Sequence, residues 1–122
     1  MTKTIFCDID GTLLYQNPNF LDWYDKPIES RFLLDGVKEK LFDWYVKGYT
    51  IILTTGRPET DKKTLEQFFG DNGLYYHQLV MNCGSGERYL INDNEPVNEA
   101  RAKVKAFAIP VIRNSGIGDL EL

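Results

Sequence analysis

Apolar residues along the chain fall into short β-rich runs separated by segments of helical period. Lys3-Thr4-Ile5-Phe6-Cys7 is an apolar run of β-formers closed by Asp8, Asp10 and Gly11, the signature of a buried strand opening onto a loop. Tyr49-Thr50-Ile51-Ile52-Leu53-Thr54 is the clearest strand of the sequence and ends at Thr55-Gly56-Arg57-Pro58. Between them Val37, Leu41, Trp44 and Tyr45 recur on one helical face, with Asp35 placed to cap the helix and Gly48 to stop it. A second helix begins near Pro58, turns Leu65, Phe68 and Phe69 inward, and breaks over residues 70–73. Residues 75–81 read as a third strand. After Gly84-Ser85-Gly86, the run Arg88-Tyr89-Leu90-Ile91-Asn92 reads as a fourth. Residues 107–112 would be a fifth, which Pro110 confines to a sheet edge, while residues 95–105 fit a helix and a strand equally well.

Strands alternating with helices predict an α/β fold: one doubly wound, mainly parallel sheet with right-handed crossovers and helices on both faces. The length of 122 residues suits one domain with one small core, leaving no room for a second lobe. Residues 14–34 mix aromatics with Asn, Pro and Asp without a period, so they read as an ordered loop or flap. Cys7 and Cys83 lie far apart and neither belongs to a CxxC pair, which argues for reduced thiols and against a disulfide framework or zinc site. No apolar run approaches the ~18 residues of a membrane span, and the first residues show no cleavage pattern, so a cytoplasmic protein with no membrane partner is expected. A net charge of −4 argues against broad binding to nucleic acid.

In parallel sheets the ligand site lies beyond the carboxyl ends of the strands, where strand order reverses. That rule selects Asp8 and Asp10 after the first strand, Thr54 and Thr55 after the second, and Asn92, Asp93 and Asn94 after the fourth. Three carboxylates among hydroxyl and amide groups make an oxygen-rich site suited to Mg²⁺ and, through it, to a phosphate. Gly11 lets the backbone turn and brings its N–H groups towards an anion.

Asp8-Ile9-Asp10-Gly11-Thr12-Leu13 resembles the first motif of the haloacid dehalogenase superfamily, whose largest group is Mg²⁺-dependent phosphatases. The hydroxyl residue after Ile51-Ile52-Leu53 and the pair Asn92-Asp93 resemble its later stations, in the correct order. Tyr89-Leu90-Ile91-Asn92-Asp93 with Arg113-Asn114-Ser115-Gly116-Ile117 further resembles a small branch of capless relatives. The resemblance implies Asp8 as the nucleophile that takes the phosphoryl group, and Asp10 as the acid that protonates the leaving oxygen and then activates water. Thr55 would bind phosphoryl oxygens, with Gly56 and Arg57 on the same loop, while Asp8, the Asp10 backbone carbonyl and Asp93 would hold Mg²⁺.

One station departs from that pattern. The superfamily's lysine before the fourth strand has no counterpart in Met81-Asn82-Cys83-Gly84-Ser85-Gly86-Glu87; Arg88 is the first substitute and Arg57 the second. Neither segment that carries a cap in relatives is long enough for one here, so the site should be open, with Trp23 or Tyr24 as lid contacts. The expected reaction is Mg²⁺-dependent hydrolysis of a phosphomonoester on a small molecule. An open site also admits a phosphorylated nucleic-acid end, or is closed by homo-oligomerisation, and the missing lysine admits a non-catalytic module that binds phosphate or a partner. More ordinary roles remain for single residues: Asp-x-Asp-Gly as turn punctuation, Arg88 in a salt bridge, and His77 as a packing residue.

Overall fold

The computed structural model describes residues 2–16 and 32–122. The elements run β1 (Thr4–Asp8), α1 (Val37–Val46), β2 (Thr50–Thr54), α2 (Lys62–Asp71), β3 (Gln78–Val80), β4 (Glu95–Asn98) and β5 (Arg101–Lys103), with a 3₁₀ turn (Glu59–Asp61) leading into α2. β1, β2 and β3 form a parallel sheet in that spatial order, which makes this an α/β protein. Register runs from Thr4 opposite Thr50 to Asp8 opposite Thr54, and from Ile52 opposite Gln78 to Thr54 opposite Val80.

Strand alternation then decides which residues meet. Ile5, Cys7, Ile51, Leu53 and Leu79 share one face and all are buried. They join one core with Val37, Leu41 and Trp44 of α1 and Leu65, Phe68 and Phe69 of α2. Two right-handed crossovers that step in the same direction put both helices on the same side, and this shared core agrees. The opposite face carries Phe6, 55% exposed, and Val80, 41% exposed. The end of the chain closes the α1 side: Ile117 is buried, Lys40 Nζ donates to the Leu120 carbonyl at 2.6 Å, and the Tyr49 hydroxyl donates to the Leu122 carbonyl at 2.9 Å.

Several expectations are corrected. Among the described residues the sheet has three strands and covered helices on one face only; strand order does not reverse. Residues 88–92 and 107–112 form no strand, and residues 95–105 resolve into the β4–β5 hairpin. The physical reason is that β-propensity measures fit to a half-buried pleated surface, and among the described residues no strand pairs with these to supply one. The cap of α1 is Gly36, in a left-handed conformation with no side-chain bond, and Asp35 does not take that place. The ends of the expected flap do meet, since the Tyr15 N–H donates to the Phe32 carbonyl at 2.7 Å and Leu14 bridges Leu33. Residues 17–31, with Trp23 and Tyr24, lie outside the described residues. Among the described residues no helix is long and apolar enough to cross a membrane.

Leu53 sits fully buried near the carboxyl end of the central strand, between Cys7 and Leu79. Leu53→Ala is expected to lower unfolding free energy by about 2–5 kcal/mol, read from the denaturant midpoint at unchanged slope.

Candidate active site

Three loops at the carboxyl ends of the parallel strands build a cleft of about 290 Å³. The first follows β1. Ile9 is buried, and its carbonyl accepts the N–H groups of Thr12, Leu13 and Leu14 at 3.1, 2.8 and 3.1 Å, which winds residues 9–14 into a tight turn. Gly11 makes that turn at φ +87°, and a Cβ there would meet Arg113 Cγ at 3.2 Å. Asp8 and Asp10 project into the cleft from either side of Ile9.

The loops after β2 and β3 are laced together. Thr55 donates its N–H to the Val80 carbonyl, Cys83 donates to the Thr55 carbonyl, and Asn82 donates to the Arg57 carbonyl, at 3.0, 2.9 and 2.9 Å. Gly56 lies so close to this second loop that a Cβ would stand 2.6 Å from the Gly84 carbonyl oxygen. The buried Thr55 hydroxyl accepts the Arg57 N–H at 3.1 Å, which shapes the loop from behind the cleft wall.

Arg57 is only 3% exposed and grips Asp10 with a two-pronged bond, Nε to Oδ2 and Nη2 to Oδ1, each 2.8 Å. Its Nη1 lies 3.7 Å from Asp61 Oδ2. Arg88 stands across the cleft. Its Nη1 and Nη2 donate to the Gly86 and Gly84 carbonyls at 3.0 Å each, and Nη2 lies 4.0 Å from Asp8 Oδ1. The other oxygen of Asp8, Oδ2, accepts the Thr12 hydroxyl at 3.2 Å.

Burial pushes the Asp8 carboxyl above its usual pKa; bonds from Thr12 and the Ile9 backbone and the charge of Arg88 pull it down, and Asp10 pushes it up. Next to it, burial and the charge of Asp8 push the Cys7 thiol up to about 12, which keeps it an inert core group.

Of the residues singled out from sequence, the structure gathers Asp8, Asp10, Gly11, Gly56, Arg57 and Arg88 around one cleft. Thr55 lies behind the wall, and Arg57 is turned onto Asp10. Asp93 does not line the cleft; it is exposed, with its backbone carbonyl accepting Asn92 Nδ2 at 3.0 Å. Thr12, Gln16, Ser85 and Arg113 also line the site and were not singled out for it. Arg113 arrives through Asn114, whose N–H donates to the Gly11 carbonyl at 2.7 Å and whose Oδ1 accepts the Gln16 N–H at 2.7 Å. The motif Arg113-Asn114 was the available signal, but nothing local ties it to residues about a hundred positions earlier.

The donors at the end of β1 suit a hard cation: the Asp8 carboxylate and the Asp10 backbone carbonyl are oxygens on one short loop. The predicted third donor is not with them, and among the described residues no three His, Cys, Asp or Glu side chains cluster as a metal site. One chain thus fits the Mg²⁺ set only in part.

Gly56→Ala is expected to force the two loops apart and cost about 1–3 kcal/mol in thermal or denaturant unfolding, whereas Gly70→Ala, with open space around its Cβ position, stays near neutral or stabilises the helix. The folded protein also holds the Asp8 proton more tightly than the unfolded chain does. Ionised Asp8 therefore costs stability at neutral pH, and the cost fades below the ordinary carboxylate range. In metal-free buffer, Asp8→Asn is expected to melt above the wild type at about pH 7, with the difference shrinking towards about pH 4.

No protein-family model matches the sequence, and no curated protein is similar to it. In fold, the chain is similar to the crystal structure of a target protein from Vibrio cholerae, at a TM-score of 0.51 and 17% identity over 81% of this chain and 85% of that one.

Proposed function

We propose that the chain is a capless, Rossmann-like member of the haloacid dehalogenase superfamily and that it hydrolyses phosphomonoesters in the presence of Mg²⁺. The observation that supports this best is the division of labour around the two carboxylates. Asp8 faces a cation across an open cleft, while Asp10, two residues on, is held by a different one. Two identical side chains in different surroundings are placed for different tasks.

Thr12 holds Oδ2 of Asp8, so Oδ1, on the Arg88 side, is the oxygen placed to bond to phosphorus. In the first step that Oδ1–P bond forms as the ester P–O bond breaks, and the departing alkoxide takes a proton that Asp10 has picked up from solvent on freeing one oxygen from Arg57. In the second, Asp10 takes a proton from water as the water oxygen bonds to phosphorus, releasing phosphate and restoring the Asp8 carboxylate. Arg57 is a positioning residue: its bidentate grip sets the direction of Asp10, and one of the two bonds must yield when the leaving oxygen arrives. Arg88 takes the place of the absent lysine, and Arg113 lines the same cleft. A bound Mg²⁺ would supply charge neutralisation between the anionic nucleophile and the anionic ester, held by Asp8 and the Asp10 carbonyl.

The substrate is a phosphorylated small molecule admitted by an open cleft of this size. Phosphate release from a panel of small esters and end-phosphorylated oligonucleotides, with and without Mg²⁺, is the test. Small esters are expected to turn over only with Mg²⁺, and Asp8→Asn to abolish turnover while the fold persists. Arg88→Ala is expected to lower kcat by at least ~10-fold. An Asp8→Asn protein as fast as the wild type would overturn the covalent mechanism. Phosphate binding without turnover on any ester would make the protein a binding module instead.

A further inference from the structure

We propose that residues 89–110 form an arm exchanged between two copies of this chain, each arm pairing along the outer edge of β1 in the other copy and carrying Asp93 to that copy's cleft. The role of Asp93 rests on the phosphatase reading above; the exchange itself does not.

The arm leaves the molecule and returns to it at one place. Arg88 lies 4.0 Å from Asp8, and Val111 and Arg113 line the same cleft, so both roots of the arm sit at the carboxyl end of β1. From Arg88 an extended chain advances ~3.3 Å per residue and reaches Asp93 about 16 Å further on. A strand running parallel to its own β1 would have to start at the Thr4 end. This one has its first residue at the Asp8 end, and its Asp93 does not line its own cleft. In a second copy the same run can lie parallel to β1. Arg88–Asn92 and Thr4–Asp8 are both five residues long, and matched ends put Asp93 next to Asp8.

Both surfaces are prepared for burial. Tyr89 is 81% exposed, Ile91 93% and Phe107 71%, and among the described residues the β4–β5 hairpin pairs only with itself. A two-stranded hairpin is at best marginal alone in water. On the receiving side, β1 pairs only with β2 among the described residues, which leaves its other edge open beside the bare Phe6. A second copy is the occupant because it alone carries what each cleft lacks. Its arm offers the predicted strand and the missing third carboxylate, and reciprocal exchange closes on a two-fold axis.

Sedimentation of the full chain is expected to show a dimer at micromolar concentration. Ile91→Glu should convert it to a monomer that still melts cooperatively, since Ile91 is almost fully exposed within one chain. Asp8→Asn and Asp93→Asn proteins should each bind Mn²⁺, as a probe for Mg²⁺, much more weakly than wild type. Unfolded and refolded together, they should regain on the order of a quarter of the wild-type sites, because only a mixed pair contains one intact site. A monomeric wild type, or a dimer indifferent to Ile91→Glu, would overturn the exchange. A wild type that binds Mn²⁺ while the mixture regains nothing would overturn delivery of Asp93 between copies. An arm-dependent dimer that binds no Mn²⁺ would uphold the exchange and overturn the metal-dependent reading instead.

Discussion

The paired bond between Arg57 and Asp10 is the constraint around which the site is arranged. It joins the loop after β1 to the loop after β2, and the second of these is already laced to the loop after β3. A guanidinium this deeply buried is tolerated only because a carboxylate meets both prongs of its fork, and removing one partner of such a pair generally costs about 3–5 kcal/mol. The bond also settles which carboxylate is held and which is presented. With Asp10 gripped, Asp8 is the one that faces the open cleft, anchored through a single oxygen by Thr12. The near contact of Gly56 with the Gly84 carbonyl serves the same end, since any larger residue would part the loops that position Arg57.

The elements legible in the sequence are those whose cause is local. β1, α1, β2 and α2 were readable because a period of two or 3.6 needs only its own residues, and a buried face follows from it. Asp8, Asp10 and Gly11 were readable for the same reason, being neighbours on one turn. The partner of Arg57 was not, because nothing in Gly56-Arg57-Pro58 indicates whether the fork reaches a phosphate or a side chain 47 positions earlier. Arg113 was missed as a site residue because its place depends on the bond between Asn114 and Gln16, 98 residues apart. The reading of Arg88-Tyr89-Leu90-Ile91-Asn92 as a strand failed differently. Its pattern reports a surface that wants a neighbour, and pattern alone does not name the molecule that provides one.

The energetic character of the site differs from that of the core beneath it. Leu53 and Ile51 are buried with matching partners and stabilise the fold without cost. Asp8 is partly desolvated at the end of the same sheet, with only Thr12, a backbone amide and a distant Arg88 to offset it, so folding carries an unfavourable charge in order to present it. Functional groups held against their own preference are where stability and activity conflict, and the stable α/β core is what can bear that conflict.

Charge balance ties these threads together. The cleft is lined by Asp8 and Asp10 against Arg57, Arg88 and Arg113, a surplus of one positive charge in a chain whose net charge is −4. The surplus draws an anion into an otherwise acidic protein. A phosphate dianion with a divalent cation is neutral as a pair and leaves that single positive charge uncompensated. One further carboxylate would cancel it. Asp93 is the acidic residue that the proposed reading would give the task, yet within its own chain it does not line the cleft it would balance. The exposed arm and the unbalanced cleft are two sides of one incompleteness, and exchange between copies would resolve both with the same contact.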